Sequence, residues 1–118
     1  MPTSVLIVDD HPSFRASARR MLEASGYSVV GEAADGEAAI AAAGELGPDL
    51  VLLDVQLPDL DGFEVAARIA ALAGDAPAIV LTSSRDRSDF GEAVAESPAR
   101  GFIAKSELSG ETFAELTG

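Results

Sequence analysis

Apolar residues gather into short, nearly unbroken runs at Val5–Val8, Tyr27–Val30, Leu50–Leu53, Ala78–Leu81 and Gly101–Ala104. A run without polar alternation suits a strand covered on both faces, because neither face then has to meet water. Between the runs the spacing becomes helical. Phe14, Ala18, Met21 and Leu22 form one stripe in the first interval, and Val65, Ile69 and Leu72 form another in the third. The alanine-rich stretch Glu37–Ala43 is less clearly amphipathic. Asp89, Phe90, Ala93 and Val94 predict a fourth helix ending before Pro98, and Phe113 with Leu116 predicts a short last one that Ser109 can cap. Pro12 fits a first helical turn and Gly26 a helix stop. Asp35 and Asp61 suit N-caps, and Asp61 with Glu64 has the spacing of a capping box.

Strands alternating with helices predict an α/β fold, a (βα)5 three-layer sandwich around a parallel sheet with right-handed crossovers. At 118 residues, 47% of them hydrophobic, the chain suits one domain spanning 1–118, and no output domain follows within it. Composition then narrows the function classes. Twenty acidic residues against eight basic give a net charge of −12, which opposes direct nucleic-acid binding and docking on anionic lipid. Cysteine is absent, so thiolate metal sites and disulfides are excluded. No run approaches the roughly 20 apolar residues of a membrane span, and the start lacks signal-peptide character, so a cytoplasmic location is expected.

Candidate chemistry lies where strands end, since a doubly wound sheet binds ligands beyond the carboxyl ends of its strands. The first strand ends in Asp9 and Asp10, the third in Asp54, the fourth in Thr82 and Ser83, and the fifth in Ala104 and Lys105. Three clustered carboxylates repel one another unless a cation compensates, and an all-oxygen, water-open set is the kind that holds Mg²⁺. Lys105 supplies fixed positive charge and the Thr82 hydroxyl a donor, as phosphoryl transfer requires, while Asp54 can act as a carboxylate nucleophile. His11 reads as a helix-entry residue, and Asp59 and Asp61 as solvent-facing or capping. Pro58 and Gly62 are expected to shape a sharp turn after Asp54, the glycine by relieving a backbone angle.

Four pieces carry a family resemblance: Val8-Asp9-Asp10-His11-Pro12, Leu53 to Gly62 around Asp54, Val80-Leu81-Thr82-Ser83-Ser84, and Gly101-Phe102-Ile103-Ala104-Lys105. In this order and spacing the chain resembles the response-regulator receiver domain of two-component systems over essentially its whole length. The resemblance implies a flavodoxin-like parallel five-stranded sheet in the order 2-1-3-4-5. It implies that Asp54 accepts a phosphoryl group from a sensor histidine kinase, with Mg²⁺ held by Asp9, Asp10, Asp54 and the backbone carbonyl of Gln56. Thr82 and Lys105 would contact the incoming phosphoryl, Thr82 and Phe102 would act in the switch, and Gln56 and Ser84 would tune phosphoryl lifetime. The chain would then be a phosphoacceptor switch, catalysing only its own phosphorylation and dephosphorylation rather than turning over a substrate.

Asp-His-Pro followed by Phe14-Arg15 is similar to receivers that carry a helix-turn-helix DNA-binding output domain, so this chain is either a single-domain regulator or an excised receiver. A phosphorylation-dependent homodimer is a further expectation. Flavodoxin-type phosphate cradling is opposed by the acidic first loop, and a haloacid-dehalogenase-type phosphatase would need an Asp where Gln56 stands. The remaining alternative is a pseudo-receiver, an interaction scaffold that never takes up phosphate.

Overall fold

The computed structural model describes residues 2–72, 74 and 76–117. Its strands are β1 (Ser4–Val8), β2 (Ser28–Ala33), β3 (Leu50–Asp54), β4 (Ala78–Ser83) and β5 (Gly101–Ala104), and its helices α1 (Pro12–Ala24), α2 (Gly36–Leu46), α3 (Gly62–Ala70), α4 (Ala93–Glu96) and α5 (Gly110–Thr117). The strands form one five-stranded sheet in the order β2-β1-β3-β4-β5, with every pairing parallel. This is the expected architecture.

The apolar runs of β1, β3 and β4 are explained by two separate cores, whereas the Tyr27–Val30 run is not covered on both faces, because β2 is an edge strand and its Val30 is exposed. Leu6, Val8, Val51, Leu53, Ile79 and Leu81 face Ala39, Val65 and Ile69 on one side, while Val5, Ile7, Leu50, Leu52 and Val80 face Ala18, Leu22 and Phe113 on the other. Successive strand residues thus enter opposite layers, and both layers are dry. Truncating any of the fully buried leucines to alanine would cost about 2–5 kcal/mol.

Local rules account for the helix ends. Pro12 lies in the first turn of α1, and Gly26, with φ 93°, turns the chain beyond it. Asp35 accepts the Ala38 N–H at 2.8 Å and Asp61 the Phe63 N–H at 2.7 Å, so both predicted N-caps form. Each is worth about 1 kcal/mol. The capping box at Asp61 does not close, because the Glu64 carboxylate pairs one turn ahead with Arg68 at 3.2 Å.

Two expectations need correction. The fourth helix is not continuous: Arg87–Phe90 forms a 3-10 turn, and α4 keeps only Ala93–Glu96. Gly91 between them adopts φ 58°, ψ −129°, a conformation essentially reserved for glycine, so the helical spacing of Phe90 and Val94 is cut in two. Gly62, in turn, is required for space rather than for an angle. A Cβ there would sit 2.5 Å from the Val55 Cα and 2.6 Å from the Asp54 carbonyl, and the Gly62 N–H donates to the Val55 carbonyl at 2.8 Å. The loop after β3 therefore closes tightly onto its own strand.

Candidate functional site

The strand ends bring Asp9, Asp10, Asp54, Thr82 and Lys105 to one edge. Asp54 and Thr82 are sheet partners across β3 and β4, and Thr82 in turn pairs with Ile103 of β5. Asp9, Asp54, Thr82 and Ser83 are buried, a costly placement for two carboxylates that packing alone does not require.

Lys105 makes the cluster tolerable. Its Nζ lies 2.5 Å from Asp9 Oδ2 and 3.2 Å from Asp54 Oδ2. The other Asp54 oxygen accepts the Gln56 N–H at 3.0 Å, and Asp9 Oδ1 accepts the His11 N–H at 2.8 Å. Burial pushes the Asp54 carboxyl up to about 6, with the Asp9 charge adding to it against the Gln56 N–H and Lys105. Burial also opposes ionisation of Asp9, but Lys105 and the His11 N–H outweigh it, and its carboxyl lies below the usual range. Burial opposes the Lys105 charge as well, and the two aspartates more than restore it, raising the ammonium above its ordinary value.

The donor set suits a hard cation. One atom each from Asp9, Asp10, His11 and Asp54 can lie within 4.8 Å of the others, and Asp10 Oδ1 is buried with no hydrogen-bond partner. Such an orphaned oxygen is expensive unless something positive completes it. His11 Nδ1 stands 3.0 Å from both Asp9 Oδ1 and Asp10 Oδ1, and the residue is the N-cap position of α1. The helix-entry reading of His11 thus describes its place, but its ring also borders the acidic pair.

Thr82 Oγ1 donates to the Ile103 carbonyl at 2.6 Å, so in this conformation the hydroxyl is committed to β5. Phe102, adjacent to Ile103, is half-buried, and its ring centroid lies 5.7 Å from that of Phe90. Ser83 Oγ donates to Gln56 Oε1 at 3.4 Å, linking the two loops that flank the acidic floor. Leu57, Leu60, Phe63 and Phe90 line an open cavity of about 510 Å³ beside these loops.

Several contacts had no reading from sequence. The Phe14 ring, expected only in a core stripe, lies under the Lys105 ammonium at 4.3 Å. Asp59, expected to face solvent or cap a helix, does cap, but the helix is the distant α2: it accepts the Gly36 N–H at 2.7 Å and the Glu37 N–H at 3.0 Å. With Asp35 on Ala38, the first three N–H groups of α2 are all satisfied, and the post-Asp54 loop is tied to a second helix. Arg15 donates to the Asp9 carbonyl at 2.5 Å and to Glu32 at 3.0 Å. An acidic residue near the end of an otherwise apolar β2 was the available signal. Among the described residues, no helix is long and apolar enough to cross a membrane.

Comparison with known proteins agrees with this geometry. Residues 5–116 match the response regulator receiver domain family. The chain is 40% identical over 107 residues to the virulence-factor transcription regulator BvgA of Bordetella pertussis, covering 91% of this chain and 51% of BvgA. It is 38% identical over 105 residues to the transcriptional regulatory protein PdtaR of Mycobacterium tuberculosis, covering 89% of this chain and 50% of PdtaR. The chain therefore spans about half the length of these relatives. Among solved structures, the receiver domain of a NarL regulator from Mycobacterium tuberculosis superposes with TM-score 0.85 at 32% identity, covering 99% of this chain and 98% of that one. A LuxR-family regulator from Aurantimonas sp. SI85-9A1 gives TM-score 0.85 at 33% identity, covering 98% and 81%. Fold, strand-end chemistry and these likenesses agree: the chain belongs to the response regulator receiver domain family of two-component signal transduction.

Proposed function

We propose that Asp54 is the phosphoacceptor of this receiver, taking a phosphoryl group from the phosphohistidine of a sensor kinase. The observation that carries the reading is a buried carboxylate held at both oxygens, by Lys105 at 3.2 Å and the Gln56 N–H at 3.0 Å, beside a second acid and a strand-paired threonine. A carboxylate oxygen attacks phosphorus, and a new P–O bond forms as the donor P–N bond breaks. Asp9, Asp10, Asp54 and the Gln56 carbonyl would hold Mg²⁺, whose charge when bound lets the carboxylates and the incoming phosphoryl share one site. Lys105 balances the developing charge, and positioning of this kind supplies most of phosphoryl-transfer catalysis.

Phosphorylation then acts on Thr82. To donate to the phosphoryl, its hydroxyl must leave the Ile103 carbonyl, which frees β5 and the neighbouring Phe102–Phe90 contact to rearrange. Shifting such an equilibrium from 1:99 to 99:1 takes about 5.5 kcal/mol of differential interaction, a scale that a doubly charged group between a cation, an ammonium and a hydroxyl can reach. The names of the relatives support a transcriptional output through a DNA-binding partner domain, and the rearranged surface is where a second copy would dock.

Intact-mass analysis after incubation with acetyl phosphate tests the reading. One phosphoryl adduct is expected, labile to hydroxylamine, dependent on Mg²⁺ and absent from Asp54→Asn. If no adduct forms and beryllofluoride also leaves the Asp54 region unchanged, the chain is a phosphorylation-independent scaffold.

A further inference from the structure

We infer that Arg15, anchored by Glu32, is a positioning residue that sets the Asp9–Asp10 peptide for divalent-cation binding; the inference rests on the metal site proposed above. It starts from a ring of contacts around one residue. The Asp9 N–H donates to the Ala33 carbonyl at 3.0 Å, and the Asp9 carbonyl accepts Arg15 Nη1 at 2.5 Å. Arg15 Nε donates to Glu32 Oε1 at 3.0 Å, and Glu32 directly precedes Ala33 on β2. Strand β2 thus grips Asp9 on both sides of its Cα, once directly and once through the guanidinium. Arg19 Nε holds the second Glu32 oxygen at 2.8 Å, so the anchor is itself fixed.

A trans peptide is planar, with its carbonyl and N–H pointing in opposite directions. Pinning the Asp9 carbonyl therefore decides where Asp10 begins. Asp10 depends on that help, because its buried Oδ1 makes no hydrogen bond and meets only the exposed His11 imidazole, at 3.0 Å. An arginine fork serves a carbonyl and a carboxylate at once, which a lysine ammonium on a flexible stem does poorly. Groups that orient metal ligands without touching the metal are typically worth about 10- to 100-fold in affinity.

Charge and geometry predict opposite signs here, and this makes the inference sharp. Arg15 is a cation beside an acidic cluster, so its charge alone opposes Mg²⁺, and deleting it would tighten binding. A positioning role predicts that deletion loosens binding.

Mg²⁺ titrations followed by the amide chemical shifts of Asp10, His11 and Gln56 decide between them. In Arg15→Met and Arg15→Lys, Mg²⁺ affinity is expected to fall roughly tenfold, with faster hydrogen exchange at the Asp9 amide, which is bonded to the Ala33 carbonyl, before any metal is added. Arg20→Met, which removes an exposed charge from the same helix, should bind as tightly as wild type or slightly more tightly. Arg15→Met affinity equal to or above wild type overturns the inference. Should Arg15→Met not fold, Glu32→Gln takes its place against Glu23→Gln as the matched loss of one negative charge, and equal affinities in that pair overturn it too. No Mg²⁺ response in wild type would sink the metal reading itself, and the inference with it.

Discussion

The two sides of the site are built differently. On the β1–β3 side, Asp9 and Asp54 are almost wholly buried, Gly62 presses on the Asp54 backbone, and Asp59 ties the loop to α2. On the β4–β5 side, Ser84 to Asp89 are exposed, Phe90 and Phe102 are half-buried, and the helix is cut at Gly91. The nearest ion pair there, Arg85–Asp89 at 3.7 Å, is exposed and worth little. The groups proposed for chemistry are over-determined, while the segment proposed to respond has few buried contacts and opens at low cost. The Thr82–Ile103 hydrogen bond joins the two halves.

Breaking the fixed side should have the largest effect. Asp54→Asn is expected to abolish the phosphoryl adduct and, by removing a carboxylate that burial disfavours, to stabilise the metal-free protein by about 1–3 kcal/mol in denaturant unfolding. Lys105→Met leaves two carboxylates facing each other. Loss of one partner of a buried pair costs about 3–5 kcal/mol, reduced here to about 2–3 because Lys105 keeps some contact with water, and the adduct should form far more slowly. Unfolding midpoints and a mass time course check both.

Two glycines compare the sides directly. Gly62→Ala inserts a methyl group into backbone and should cost about 1–3 kcal/mol while displacing Gln56. Gly91→Ala meets open space but must hold φ 58° and ψ −129°, so it should cost about 1–3 kcal/mol through backbone strain alone. Gln56 and the Asp54 backbone should stay in place, which amide chemical shifts check. Displacement of Gln56 by both substitutions would erase the contrast.

The smallest effect is on pH. With the Asp54 carboxyl raised to about 6, a proton competes with the cation below that value, so Mg²⁺ affinity should rise as pH increases through it. Without metal, the folded state holds the Asp54 proton more tightly than the unfolded chain between roughly pH 4 and 6. Stability contributed by Asp54 therefore falls as pH rises across that window. Calorimetric titration at several pH values checks the first, and metal-free melts of wild type against Asp54→Asn check the second.

Most of the floor was legible because a strand that ends in aspartate after an unbroken apolar run has no packing reason to do so. Asp9 and Asp54 carried that mark, and Thr82 and Lys105 were the polar groups that close the fourth and fifth runs. The broken helix was less legible, since Asp89, Phe90, Ala93 and Val94 keep helical spacing and a single interior glycine costs only about 1 kcal/mol against it. Arg15 and Glu32 lie 17 residues apart, and Asp59 reaches N–H groups 22 and 23 residues away. Local pattern carries no trace of such contacts. Phe14 fitted the core stripe of α1, and only the fold shows its ring beneath an ammonium. Gly62 was recognised as necessary, but the reason, a backbone approach rather than an angle, is a tertiary fact.

The Asp54–Thr82 partnership across β3 and β4 also governs assembly. A slip of one residue would carry Thr82 about 3.3 Å along the strand and onto the opposite face. The same slip would exchange Val80 and Leu81 between the two dry layers, which neither layer is shaped to accept. Core packing therefore proofreads the site: a chain that has buried its apolar runs has already aligned the Asp54 carboxylate with the Thr82 hydroxyl.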